Sequence, residues 1–76
     1  MNRIKIRLDT LKDVNNLLRV TNSVSGDVTL TNDKGYTVSG KSYLGAVYAS
    51  AEWTEIYCLS DESLSEKLID LIVDDD

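Results

Sequence analysis

Apolar residues near the start of the chain alternate strictly with basic ones, and this period of two constrains the fold more than any other feature of the sequence. One face of residues 3–8 carries the apolar side chains of Ile4, Ile6 and Leu8. The other face carries the basic side chains of Arg3, Lys5 and Arg7. The pattern predicts a strand that is buried on one face only. The basic face is expected to be the solvent side of an open sheet, with contact to an acidic partner as the alternative.

A helix is predicted directly after this strand. Thr10 is a favourable N-cap, and Asp13 three residues later resembles the acidic member of a capping box. The spacing of the apolar residues that follow predicts a helix over about 11–21. Its buried stripe is expected to consist of Leu11, Val14, Leu17 and Leu18.

Three more strands are predicted over residues 27–31, 36–39 and 55–59, where alternating apolar positions return. Residues 32–35 predict the hairpin loop that joins the first two of them. Gly35 is expected to take a positive φ in this loop.

Serine residues mark the start of two further predicted helices. Ser42 is a natural N-cap for a short helix over about 43–50. Ser63, with Glu66 three residues later, predicts a capping box for a last helix. The buried stripe of that last helix is expected to consist of Leu64, Leu68, Leu71 and Ile72, widened by Ile69 and Val73.

The resulting element order is βαββαβα in a chain of 76 residues, which is enough for one domain over residues 1–76. The order predicts an α+β fold of the open-faced β-sandwich type, in which helices cover one face of a four-stranded antiparallel sheet. A ferredoxin-like plait shares the first six elements. The terminal helix favours the open-faced sandwich.

The composition excludes several classes of site. The chain has one Cys and no His, which excludes an internal disulfide, a Cys/His zinc site and acid–base catalysis by His. Cys58 is expected to be a buried core thiol. No metal, no cofactor and no enzymatic activity are expected, and Gly40-Lys41-Ser42 is interpreted as the start of a helix rather than the end of a phosphate-binding loop.

The charge is distributed unevenly along the chain. The formal net charge is −5, and residues 52–76 carry nine acidic residues and a single Lys. Net acidity disfavours nucleic acid as a partner, and the run Asp74–Asp76 predicts a solvated tail. No apolar run approaches the roughly 20 residues that span a bilayer, and no signal-peptide pattern is present. No membrane association and a cytoplasmic location are therefore expected.

The segment Lys41-Ser42-Tyr43-Leu44-Gly45-Ala46 resembles the start of the short second helix in the HPr family, the phosphocarriers of the bacterial sugar phosphotransferase system. In that family a Lys-Ser pair opens the helix and is followed by two apolar residues and Gly. The resemblance covers nearly the whole chain, from the strand around Ile4 to the helix around Leu71. It implies the same open-faced βαββαβα sandwich.

The resemblance also locates the family's phosphoryl relay, and here the chain departs from the family. The family's relay His, the Arg two residues later and the Pro after it correspond to Thr10, Lys12 and Asp13 in this chain. A threonine phosphate is a stable ester, so the phosphoryl group could not be transferred to the next protein of the relay. Thr10 is therefore expected to act as a helix cap only, and no catalytic residue is expected.

Ser42 matches the serine that a dedicated kinase phosphorylates in Gram-positive relatives, where the modified protein binds a transcriptional regulator. A phosphate there would meet free backbone N–H groups and the positive end of the helix dipole. Ser42 as a cap without modification is the alternative. Partner-binding candidates are Tyr43, Leu44, Val47 and Lys12, with Tyr48 and Trp53 as an extension. The alternative for the aromatic residues is that they cover the end of the core.

The functional expectation is an HPr-like regulatory or protein-binding module that lacks the relay His and acts through the surface around Ser42. The partner classes that the resemblance implies are a phosphotransferase-system component, a kinase or a transcriptional regulator. The alternative is a structural remnant or an assembly subunit with no phosphate chemistry.

Overall fold

The alternating segments of the sequence form one sheet, as seen in a computed structural model that describes residues 1–73. In chain order the elements are β1 (Asn2–Ile6), α1 (Leu11–Thr21), β2 (Val28–Thr31), β3 (Thr37–Ser39), α2 (Tyr43–Glu52) and β4 (Ile56–Ser60). The strand order is β1-β4-β2-β3, and every neighbouring pair is antiparallel. The predicted α+β fold with a four-stranded antiparallel sheet is confirmed. The tail Asp74–Asp76, predicted to be solvated, lies outside the described residues.

The register of the sheet separates a covered face from an open one. Ile4 of β1, Cys58 of β4 and Leu30 of β2 lie opposite one another on neighbouring strands. Because side chains alternate along a strand, these residues share one face, and that face belongs to the core with α1 and α2. Arg3 and Lys5 lie on the other face, as the alternation predicts. No helix within residues 1–73 covers that face.

Helix α1 has the bounds that its local signals predict. The Thr10 hydroxyl accepts a hydrogen bond from the Asp13 N–H at 3.2 Å, and the Asp13 carboxylate accepts one from the Thr10 N–H at 3.3 Å. This capping box satisfies two backbone donors at the helix start.

The buried face of α1 is rotated relative to the predicted stripe. Val14, Leu17, Val20 and Thr21 are buried, whereas Leu18 is half-buried and Leu11 is exposed. Leu11 and Leu18 lie about a quarter turn from the centre of the buried stripe, at the position where the helix surface turns toward solvent. The prediction for Leu11 was wrong for this reason.

The β2–β3 hairpin matches the prediction closely. Gly35 takes φ 86°, a backbone conformation that residues with a Cβ rarely adopt. The Asn32 side-chain oxygen accepts hydrogen bonds from the N–H groups of Lys34 and Tyr36, both at 3.0 Å. These bonds fix the loop, and β3 begins only at Thr37.

The predicted last helix is not formed. Residues 65–71 form a series of turns, and Leu64, Leu68 and Leu71 are buried as predicted while Ile72 and Val73 are half-buried. Ile69, which was expected to widen the buried stripe, is 67% exposed. The Ser63 hydroxyl contacts Ser65 at 3.0 Å, and the predicted capping box with Glu66 is absent from the described hydrogen bonds.

The free edge of β1 explains why this segment leaves the helical path. The Arg7 N–H donates to the Leu71 carbonyl and the Val73 N–H donates to the Lys5 carbonyl, each at 2.9 Å. Ile72 thereby forms an antiparallel bridge with Ile6. In a helix the Val73 N–H would bond within its own segment, so pairing with the sheet edge replaces helical hydrogen bonds. The three buried leucines pack into the core in either arrangement.

Gly45 allows α2 to approach β3 closely. A Cβ at this position would lie 2.9 Å from the Ser39 carbonyl oxygen and 3.2 Å from the Val38 Cβ. The first of these atoms is backbone and cannot rotate away. The helix could not pack at this distance with any larger residue.

We therefore expect Gly45→Ala to destabilise the protein, although Ala is the better helix former by about 1 kcal/mol. The steric conflict should dominate and lower the free energy of unfolding by about 1–3 kcal/mol in urea titrations. Gly26→Ala is the matched control, because a Cβ there would meet only the Asp61 side chain, with Oδ2 at 3.4 Å and Cβ at 3.9 Å. A Gly45→Ala protein as stable as this control would contradict the packing of α2 on β3.

Cys58 lies in the core and is 1% exposed. Burial raises the pKa of its thiol to about 11. The thiolate is the reactive form of cysteine, so the folded protein holds this side chain unreactive at neutral pH. The prediction of a core thiol is confirmed.

Candidate functional site

The N-terminus of α2 is built around Ser42. The Ser42 backbone is extended, and its hydroxyl oxygen accepts a hydrogen bond from the Gly45 N–H at 3.1 Å. The Ser42 carbonyl accepts the bond from the Ala46 N–H that starts the helix, at 2.9 Å. The predicted capping role of Ser42 is confirmed. The helix continues to Glu52, two residues beyond its predicted end.

The first two turns of α2 expose apolar side chains. Ala46 and Ala49 are fully buried and fill the inward face of the helix. Leu44 is 79% exposed and Tyr43 is also exposed, while Val47 is half-buried against the core. We call the surface formed by Tyr43, Leu44 and Val47 the α2 patch.

Two aromatic residues continue this surface toward the end of α2. Tyr48 is exposed and lies one turn after Leu44, on the same side of the helix. The rings of Tyr48 and Trp53 meet edge to face, with centroids 6.1 Å apart. Trp53 is half-buried and packs against the core, as does Val47. Both predicted arrangements therefore occur, because the aromatic pair extends the surface and also covers the core.

Lys12 lies at the opposite end of the helix pair from the α2 patch. The Thr21 hydroxyl at the end of α1 donates to the Gly40 carbonyl just before α2, at 2.8 Å. The Ser50 hydroxyl near the end of α2 donates to the Leu8 carbonyl just before α1, at 2.7 Å. The two helices therefore run in opposite directions, and Lys12 is separated from Leu44 by about 15 Å of helix length. Lys12 is exposed there and belongs at most to the rim of a surface centred on Leu44.

The Lys41 side chain forms its hydrogen bond with the loop after α1 and not at the N-terminus of α2. Its ammonium group donates to the Val24 carbonyl at 2.6 Å, in the loop that follows α1. The Asn22 side chain donates to the Lys41 carbonyl at 3.4 Å and strengthens the same connection. Lys41 therefore holds the loop after α1 against the start of α2, and an anion at Ser42 would be bound by backbone N–H groups.

The residues from Gly35 to Ser42 have the spacing G-x-x-x-x-G-K-S of a phosphate-binding loop. The structure does not form that loop. Thr37–Ser39 are extended and paired with β2, so their N–H groups cannot curl around a phosphate. The Lys41 ammonium, which such a loop directs at phosphate, is bonded to Val24. The interpretation of this string as a helix start is the one that the structure supports.

The open face of the sheet holds a small network of charged and aromatic groups. The Arg3 guanidinium carbon lies 4.0 Å from the centre of the Tyr57 ring. The Glu55 carboxylate accepts a hydrogen bond from the Tyr57 hydroxyl at 2.8 Å and pairs with the Lys5 ammonium at 3.3 Å. These two partners, Tyr57 first, lower the pKa of Glu55. Arg7, the third basic residue of the predicted face, lies beyond the strand near Asp9.

Comparisons of the chain with protein-family models, with curated proteins and with solved structures found no match. Among residues 1–73 no helix is long and apolar enough to cross a bilayer. No group of three or more potential metal-ligating His, Cys, Asp or Glu side chains occurs among the same residues. The assignment of a function therefore depends on the geometry of the chain's own surface.

Proposed function

We propose that this chain is an HPr-like regulatory module without the relay His, and that it binds a protein partner through the α2 patch. The observation that carries the proposal is the exposure of Leu44, at 79%, next to exposed Tyr43. A domain of this size needs most of its large apolar residues for its core. Adjacent large apolar side chains on the outside of a folded helix are typical of a surface that is covered by a partner.

The proposed role is binding, and the proposed partner is a protein of the bacterial cytoplasm. A component of the phosphotransferase system, a kinase and a transcriptional regulator are the classes that the resemblance to HPr supports. The net charge of −5 makes a nucleic acid an unsuitable partner, because phosphate contacts need a basic surface. The Thr10 hydroxyl accepts a hydrogen bond in the α1 capping box. This contact supports a capping role for Thr10 in place of the family's phosphoryl relay.

Ser42 is the proposed point of regulation. Phosphorylation would add about 1.5 to 2 negative charges at the N-terminus of α2, where charge and helix dipole attract each other. The helix would therefore persist, and the partner facing Leu44 would meet the new charge. Phosphate chemistry at Ser42 is separate from the docking itself, and the α2 patch can bind a partner without it.

The proposal is tested by photo-cross-linking from inside the α2 patch. A photo-cross-linking amino acid in place of Leu44 should yield a defined cross-linked protein band in a lysate of the source bacterium. The same amino acid in place of Ile69 is the matched control, because Ile69 is also apolar and 67% exposed but lies in the C-terminal turns. Cross-links to the same proteins from both positions would contradict a docking site at α2. A band that the phosphomimetic Ser42→Asp leaves unchanged would favour an assembly subunit over a regulated module.

A further inference from the structure

A groove of about 280 Å³ lies between the β2–β3 hairpin and the C-terminal end of α2. Three aromatic residues line it, Tyr36 from the hairpin side and Tyr48 and Trp53 from the helix side. The rest of the lining is polar or charged. Tyr36 is 65% exposed and Tyr48 is 54% exposed, so the groove is open to solvent. The Tyr48 and Trp53 rings are inclined at 83° to each other. The groove is thus bounded by aromatic rings in different planes, and an aromatic ring attracts a cation to its face.

The electrostatics of the groove favour a positively charged guest. Asp33 and Glu52 line it together with Lys34, which leaves one net negative charge. The last turn of α2 contains no basic residue and ends in Glu52, so the negative end of the helix dipole has no compensating cation on its own helix. Aromatic faces, carboxylates and a helix C-terminus all attract positive charge. All three coincide at this end of α2.

We infer that this groove binds an arginine side chain presented by a basic segment of a partner protein. A guanidinium group is flat and weakly hydrated, so it can stack on a ring while its N–H groups donate to a carboxylate. The open face of this sheet already shows such stacking, with Arg3 lying 4.0 Å from the Tyr57 ring centre. A free small cation would keep most of its water in so open a groove, whereas a peptide also contacts the exposed rings along the rim. The groove lies beyond the α2 patch: Tyr43, Leu44 and Val47 do not line it, whereas Tyr48 and Trp53, which continue that surface, do.

The inference is tested with the tripeptide acetyl-Gly-Arg-Gly-amide and the fluorescence of Trp53, the single tryptophan of the chain. The Arg peptide should change the emission in a saturable way, and acetyl-Gly-Gln-Gly-amide should not. Tetramethylammonium chloride represents the free cation and should bind more weakly than the Arg peptide. Equal or tighter binding of tetramethylammonium would overturn the assignment of a peptide guest.

Variants at the groove separate the aromatic contribution from the electrostatic one. Tyr48→Ala should weaken Arg-peptide binding about 2- to 5-fold, the effect of losing one cation–π contact. Glu52→Gln should also weaken it, and Lys34→Gln should strengthen it because a competing positive charge is removed. Ile69→Ala is the control, since Ile69 is an exposed apolar residue that belongs neither to the groove nor to the α2 patch, and it should have no effect.

All four variants alter exposed side chains, so circular dichroism should show an unchanged fold. The absence of saturable binding by the Arg peptide would overturn the inference. Equal affinities for Tyr48→Ala and Ile69→Ala would overturn it as well. Because neither result involves Leu44, failure of this site is distinguishable from failure of the α2 patch.

Discussion

Leu68→Ala should leave much of the protein unfolded at room temperature. Leu68 is 2% exposed and belongs to the hydrophobic core, although it lies in a segment without a regular helix. Truncation of a buried leucine costs about 2–5 kcal/mol through lost burial and the cavity left behind. A single core of this size supplies only about 3–5 kcal/mol of folding free energy. The substitution should therefore remove most of the stability of the protein. Urea and thermal unfolding followed by circular dichroism measure the loss.

The neighbouring residue provides the matched control for this prediction. Ile69→Ala removes a large apolar side chain from the adjacent position, but this side chain is mostly exposed. It should change the free energy of unfolding by no more than about 0.5 kcal/mol. Equal losses for the two variants would show that the C-terminal segment packs with a different face toward the core.

The fold could be predicted from the sequence where its determinants are local. Thr10 and Asp13 form the capping box of α1 from three residues apart, and Gly35 supplies the positive φ of the hairpin at one position. Leu44 was a partner-binding candidate and is exposed, because the small residues Ala46 and Ala49 on the opposite side of α2 are the ones that face the core. In each case the physical cause lies within one or two helical turns of the residue concerned.

Tertiary contacts decided the features that the sequence could not predict. The spacing of Leu64, Leu68 and Leu71 fits a helix, but hydrogen bonds to the free edge of β1 stabilise turns and a bridge instead. Local propensity contains no information on which sheet edge lies nearby. The aromatic groove was missed for the same reason, since Tyr36 and Trp53 are brought together only when the hairpin and the end of α2 line the same depression.

Leu44→Asp should abolish partner binding and leave the fold intact. Leu44 is the most exposed residue of the α2 patch and makes no contribution to the buried core. It occupies the second position of α2, where an acidic side chain interacts favourably with the helix dipole by about 0.3–1 kcal/mol. The variant should therefore be as stable as the wild type or slightly more stable. A carboxylate buried against a partner without a counter-charge would strongly oppose binding.

The size of the effect follows from the position of Leu44 at the centre of the α2 patch. Substitution of a central anchor residue costs at least about 2 kcal/mol of binding free energy, which corresponds to a roughly 30-fold loss of affinity. Ile69→Asp is the matched control, because it places the same charge on another exposed apolar residue far along the chain. It should bind the partner with the affinity of the wild type.

The affinity of the cross-linked partner for the wild type, Leu44→Asp and Ile69→Asp, measured by calorimetry on purified proteins, tests the central claim most directly. If the α2 patch is the docking site, Leu44→Asp alone should lose affinity for the partner, by about 30-fold or more. Circular dichroism should show the same fold in all three proteins. Wild-type affinity in a folded Leu44→Asp protein would contradict the claim. Loss of folding in Leu44→Asp would contradict it equally, because it would show that Leu44 is a core residue.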